Sequence, residues 1–186
     1  PLQPLAFFLV RLPLHNSLMH LLGPGAALTT ISLFYAPLTE EPAKWLPLAV
    51  PAVWRRLNGD NAVAFALAIG LGFAIGEIWF IAQRVAQAPQ YAALPFYAFS
   101  GFVTERLQTC FLHGAFIALA VRNLATGRSF ALGGVIGMAL HFALNFPIFL
   151  ASVDFLGLGR AVWQAVLVWW IVAMTFALAV MVERLA

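Results

Sequence analysis

Residues 61–84 read NAVAFALAIGLGFAIGEIWFIAQR, and between Asn61 and Arg84 the only ionisable side chain is Glu77. An apolar run of this length matches the roughly 20 residues needed to cross the hydrocarbon of a bilayer. Other segments repeat the pattern at 26–54, from about 95 to 121, at 130–153 and at 161–182. The stretch before them, LQPLAFFLVRLPLHNSLMHLLGPG (2–25), is broken up by Arg11, Pro13, His15 and Asn16. It reads as either a kinked span or a helix lying in the interface.

Composition agrees with that reading. The chain is 63% hydrophobic and 9% charged, against about 25% charged in soluble domains, and its mean hydropathy is +0.92. The expected architecture is one all-α domain over 1–186, a transmembrane bundle of about five to seven helices. The net charge of +3 comes from scattered arginines with no basic run among aromatics, which argues against nucleic acid as a partner. Cys110 is the only cysteine, so an internal disulfide and a cysteine-rich metal site are both excluded. Because the chain opens on Pro1, its native start is expected upstream. Arg55, Arg56, Arg122, Arg128 and Arg184 fall in alternate connections and at the end of the chain. The positive-inside bias therefore places 55–60, 122–129 and the C-terminus in the cytoplasm.

Against this apolar background a few polar groups stand out. Glu40, Glu41 and Lys44, the only lysine, sit inside 26–54 among Pro37, Pro42 and Pro47. Glu77 lies past the middle of the second segment, Glu105 and His113 bracket the middle of the third, and His141 and Asn145 occupy the fourth. Inserting three or four charges of this kind would cost roughly 10 kcal/mol at about 2.5–3.5 each, comparable to the whole stability of an ordinary domain. They must compensate one another. Glu40 and Lys44, four apart with the acid first, have the spacing of a helical ion pair. Gly101, Glu105, Thr109 and His113, and likewise Gly133, Gly137, His141 and Asn145, recur every four residues. Each series winds slowly along one side of its helix. With Gly72 and Gly76 beside Glu77, three helices pair a close-packing face with a polar group, and a shared polar site near mid-membrane is expected. Taken singly, each residue has a plain structural role open to it. Glu105 beside Arg106 reads as a local pair.

Hydrolysis of a peptide bond needs a base for water, a stabiliser for the oxyanion and a proton for the leaving amine. Glutamate and histidine are the available groups. There is no HExxH and no GxSxG, and the only aspartates, Asp60 and Asp154, lie in connections. His113, His141 and one glutamate would also satisfy the three protein ligands of a catalytic zinc. A proton- or ion-coupled transporter is the alternative, since buried Glu, His and Lys also mark proton relays. A non-proteolytic scaffold is another.

These residues carry a resemblance. APLTEEPAK (36–44), the glycine-rich GDNAVAFALAIGLGFAIGE (59–77) with Phe73 and Glu77, RLQTCFLHGAF (106–116) and HFALN (141–145) occur in order. Over about residues 35–146 the chain resembles the PrsW family of intramembrane proteases, allied to the CAAX prenyl-protease and bacteriocin-immunity superfamily. Asn145 departs from the aspartate associated with PrsW proteins and is shared with the allied branch. The resemblance implies cleavage of membrane-anchored or transmembrane proteins in the bilayer, in a bacterial cytoplasmic membrane. It implies catalytic roles for Glu40, Glu41, Glu77, His113, His141 and Asn145, with Lys44 in support. Two arrangements are open: one zinc ion on His113, His141 and Glu77, or a metal-free site with a glutamate of the pair as base. Adjacent residues point about 100° apart on a helix, so Glu40 and Glu41 are expected to differ in role.

Overall fold

The computed structural model describes residues 2–92, 94–95 and 100–186, and among them every regular element is helical. Helix α1 covers Leu2–Leu22. Three short helices follow: α2 (Ala26–Ser32), α3 (Tyr35–Trp45) and, after a 3-10 turn at Leu46–Ala49, α4 (Pro51–Trp54). Then come α5 (Ala62–Ala86), the single turn α6 (Pro89–Ala92), α7 (Ser100–Ala125), α8 (Phe130–Ser152) and α9 (Arg160–Leu185). Residues 96–99, where the third apolar segment was expected to begin, lie outside the described residues, as do the surroundings of Gly101.

Among the described residues five helices are long and apolar enough to span a membrane: α1, α5, Val103–Ala125 of α7, α8 and α9. Of the two readings of the 2–25 stretch, it takes the span-length helix. The expectation for 26–54 is corrected: that segment is a chain of short helices, none long enough to span. Proline explains both outcomes. Within α1 the turn Phe7–Arg11 is a π-helix, and Pro13, whose ring would strike the carbonyl of Leu9 in an ordinary α-turn, follows at once. One widened turn accommodates that proline, and Gly23, with φ of 68°, ends the helix. In 26–54, Pro42 lies inside α3, which runs on to Trp45, and Pro47 and Pro51 open new turns.

Glycine sets the packing of the rest. A Cβ on Gly70 of α5 would collide with the backbone of Gly114 in α7 and come within 2.6 Å of the His113 carbonyl carbon. One on Gly114 would lie 2.8 Å from the Leu67 Cα. On the other side of α7, a Cβ on Gly137 of α8 would strike the Phe116 carbonyl, and one on Gly133 would lie 2.6 Å from the Ala120 Cα. Helix α7 is thus clasped between α5 and α8 at backbone contact, the use of small residues expected in lipid. Gly72 was expected on this face but meets open space, while Gly76 is buried. A stride of two residues turns the helix by about 200°, so Gly70 and Gly72 face nearly opposite ways.

Proline also fastens α9. Pro147 inside α8 leaves the carbonyl of Ala143 without its usual donor, and Trp170 of α9 donates its indole N–H to it at 3.1 Å. At one end of the bundle Arg122 donates to the Gly59 carbonyl, and Leu57, Leu124, Phe130 and Leu185 pack on a common core. The three arginine-bearing regions therefore share one end.

Replacing Gly70 with Val should destabilise the protein by about 1–3 kcal/mol through overpacking, read as a lower melting temperature in detergent. Gly72→Ala should leave it unchanged.

Candidate active site

The short helix α3 carries its polar groups inward. Thr39, Glu40, Glu41 and Lys44 are all buried, and Lys44 is completely so. The expected Glu40–Lys44 pair does not form. Lys44 Nζ instead donates to Glu41 Oε1 at 2.6 Å, three residues back, and its ammonium stands 5.1 Å and 5.5 Å from the ring centres of Phe73 and Phe116. Either spacing lets residues meet on a helix. The outcome is decided by Glu40 turning away to Arg11 of α1, whose Nη1 donates to Glu40 Oε1 at 3.3 Å.

Glu41 serves two helices at once. The oxygen that accepts from Lys44 also lies 2.6 Å from Nδ1 of His141 on α8. With the carboxylate accepting, His141 donates from Nδ1, and its Nε2 remains for other chemistry. Phe116 stacks on the same ring at 4.8 Å between centres and 9° between planes, so the imidazole is fixed in direction and tilt. A parallel arrangement holds His113. Its Nε2 lies 2.8 Å from Glu77 Oε2 of α5, and Phe73 meets its ring edge-on at 5.0 Å. Phe73 and Glu77 are four residues apart on one face of α5 and grip this histidine together. The second oxygen of Glu77 accepts from Arg106 at 3.2 Å, and Arg106 also pairs with Glu105.

The two imidazoles stand 6.0 Å apart between ring centres, nearly perpendicular. Each sits close to the middle of its helix. Beside them is a cavity of about 240 Å³ whose wall includes Glu40, Glu77, His113, His141 and Asn145, with Arg11 and Arg106 at its sides. Glu41 and Lys44 do not line it; they lie behind His141. The adjacent glutamates therefore occupy different surroundings, in keeping with their 100° separation.

The sequence-expected site residues lie together in this constellation, and two arginines join them. Arg106, which the sequence pairs with Glu105 and which heads the 106–116 motif that contains His113, binds Glu77 as well. It precedes His113 by seven residues, two turns on the same face. Arg11 gave no local signal, because its partner is 29 residues away and the pairing arises only from the packing of α1 on α3.

The donor set can be tested against zinc. Among the described residues no three His, Cys, Asp or Glu side chains group as a metal ion requires. Each imidazole is bonded through one nitrogen to a different carboxylate, and those carboxylates also accept from Lys44 and Arg106. With Glu77 committed to His113 Nε2 and Arg106, the set His113, His141 and Glu77 does not converge as three ligands of one zinc ion as arranged.

A family model described as PrsW family intramembrane metalloprotease matches residues 4–178. No curated protein and no solved structure matches.

Removing the ammonium with Lys44→Met leaves Glu41 buried with His141 alone. The expected loss is about 3–5 kcal/mol, measured by unfolding in detergent. Adding Glu41→Gln should recover part of it, because the stranded charge is then gone.

Proposed function

We propose, for a chain that belongs to the PrsW family of intramembrane metalloproteases and is an intramembrane peptidase, that it cleaves membrane-anchored or transmembrane proteins with a water activated by Glu40. The observation that carries this reading is the single cavity on which Glu40, His113, His141 and Asn145 converge. Glu40 is the glutamate of the pair that faces it. Its carboxylate accepts a proton as the water oxygen attacks the scissile carbonyl carbon. Asn145 donates its amide N–H to the oxygen that becomes negative, and His141, aimed through Nδ1 by Glu41, supports that oxygen from Nε2 in the doubly protonated ring, which has a donor on both nitrogens. The proton held by Glu40 passes to the leaving nitrogen, the C–N bond breaks, and a carboxylic acid and an amine result. His113, gripped by Glu77, forms the facing wall, and Lys44 keeps Glu41 in place.

The reading includes one domain over 1–186, with the site near mid-membrane. The gathering of Arg55, Arg56, Arg122, Arg128 and Arg184 toward one end supports a cytoplasmic C-terminus, and the membrane is that of a bacterial cell. A second reading places one zinc ion on His113, His141 and Glu77. The family description favours it, and so does the carboxylate on each imidazole, an arrangement that orients metal-bound histidines. Since these donors do not converge as they stand, the proton transfers above are assigned to protein groups alone.

Membranes expressing wild type should contain protein fragments absent from membranes expressing Glu40→Gln, a variant expected to stay folded and to lose at least about 10²-fold in rate. Identical fragment patterns would sink the assignment. Asn145→Ala should slow cleavage by about 10²–10³ if its amide serves the oxyanion. Elemental analysis of active protein separates the two readings. Stoichiometric zinc, lost in both His113→Ala and His141→Ala, would establish the metal site; active protein free of zinc would establish Glu40 chemistry.

A further inference from the structure

A second cavity, of about 290 Å³, adjoins the first, and Arg11, Ala36, Asn145 and Ile148 line both. Its outer part is faced by Thr29 and Ser32 of α2 and by Ser152 at the end of α8. The three hydroxyls donate to carbonyls of their own helices, Thr29 to Gly25 at 3.0 Å, Ser32 to Thr29 at 2.7 Å and Ser152 to Phe149 at 2.7 Å. A hydroxyl that donates in this way still has acceptor lone pairs, so three acceptors remain along the wall. The neighbouring residues at the same level of the chain are of the other kind: Ile31, Phe34 and Leu38 are exposed and apolar. The short-helix segment thus turns Thr29 and Ser32 toward the cavity, and Ile31, Phe34 and Leu38 outward.

A buried water needs two to four polar partners and about 30 Å³, so the space has room for several waters, and the hydroxyls, Asn145 and Arg11 offer them partners on a wall that Leu33, Ile148 and Phe149 complete. Irregular backbone at membrane depth is tolerated where it lines a water-filled cavity, and α2–α3 is the interrupted segment. Arg11 stands where the cavities meet. Its guanidinium is bonded to Glu40, yet its side chain is 33% exposed. It ends the π-helical turn of α1, a feature frequent at functional positions. We infer that the second cavity is the inlet through which water reaches Glu40, opening at the bundle end opposite the arginine-bearing connections, with Arg11 as the partition between inlet and site. The use made of that water rests on the hydrolytic reading above; the inlet itself does not.

The test is thiol labelling in proteoliposomes. Single cysteines are placed at Ser32 and Ala36, on the inlet wall, and at Ile31 and Leu38, on the outward face, in a Cys110→Ala background that remains monodisperse in detergent. The probe is a charged, membrane-impermeant methanethiosulfonate. The inlet holds if Ser32→Cys and Ala36→Cys react at least tenfold faster than Ile31→Cys and Leu38→Cys. Equal rates, or faster reaction on the outward face, would overturn it. Adding Arg11→Ala should raise the rate at Ala36→Cys several-fold and leave Ser32→Cys unchanged; no change at Ala36→Cys would remove Arg11 as the partition. The labelling requires no substrate. A protein without proteolytic activity can therefore still show the inlet, and a protein without the inlet can still fail or pass the Glu40→Gln comparison.

Discussion

The ammonium of Lys44, completely buried between Phe73 and Phe116, constrains everything near it. A charge of this kind carries a desolvation penalty of several kcal/mol, which is offset only by a partner in good geometry. Glu41 supplies that partner from the same short helix. Having accepted from Lys44, the same carboxylate oxygen reaches His141 on α8. A compensated charge has become a bracket between two helices. The rings that flank the ammonium also brace the histidines, since Phe73 touches His113 and Phe116 stacks on His141.

Such a bracket works only if the helices stand close enough, and glycine provides the closeness. Gly70 against Gly114, and Gly133 and Gly137 against α7, bring three backbones into contact. In lipid there is little hydrophobic drive between helices, so backbone approach and polar contacts must supply the association. The glycines and the buried charges are two halves of one solution. The first bring the helices together, and the second set which residues face each other.

Helix-breaking residues do comparable positional work. Pro147 releases a carbonyl that Trp170 takes up, tying α9 to the bundle. Pro13 follows the widened turn that ends at Arg11, from which Arg11 reaches Glu40. Pro47 and Pro51 open new turns after α3, which keeps the helix that carries Glu40, Glu41 and Lys44 short.

Much of this was legible in the chain. Length and apolarity alone required membrane-spanning helices, because no soluble core could cover so much hydrocarbon. The positions of Glu77, His113 and His141 within their segments announced a shared site, since isolated charges there would oppose insertion. Periodicity placed Gly133, Gly137 and His141 on one side of α8, and could have placed Arg106 with His113. Sequence spacing failed where two choices were locally equal. Glu40 and Glu41 both lie within reach of Lys44, and Gly70, Gly72 and Gly76 are alike as letters. Only packing separated them: Arg11, arriving from another helix, drew Glu40 to the cavity and left Glu41 to the lysine. Local rules state which residues on one helix can meet, but the facing of a helix is set by the helices around it.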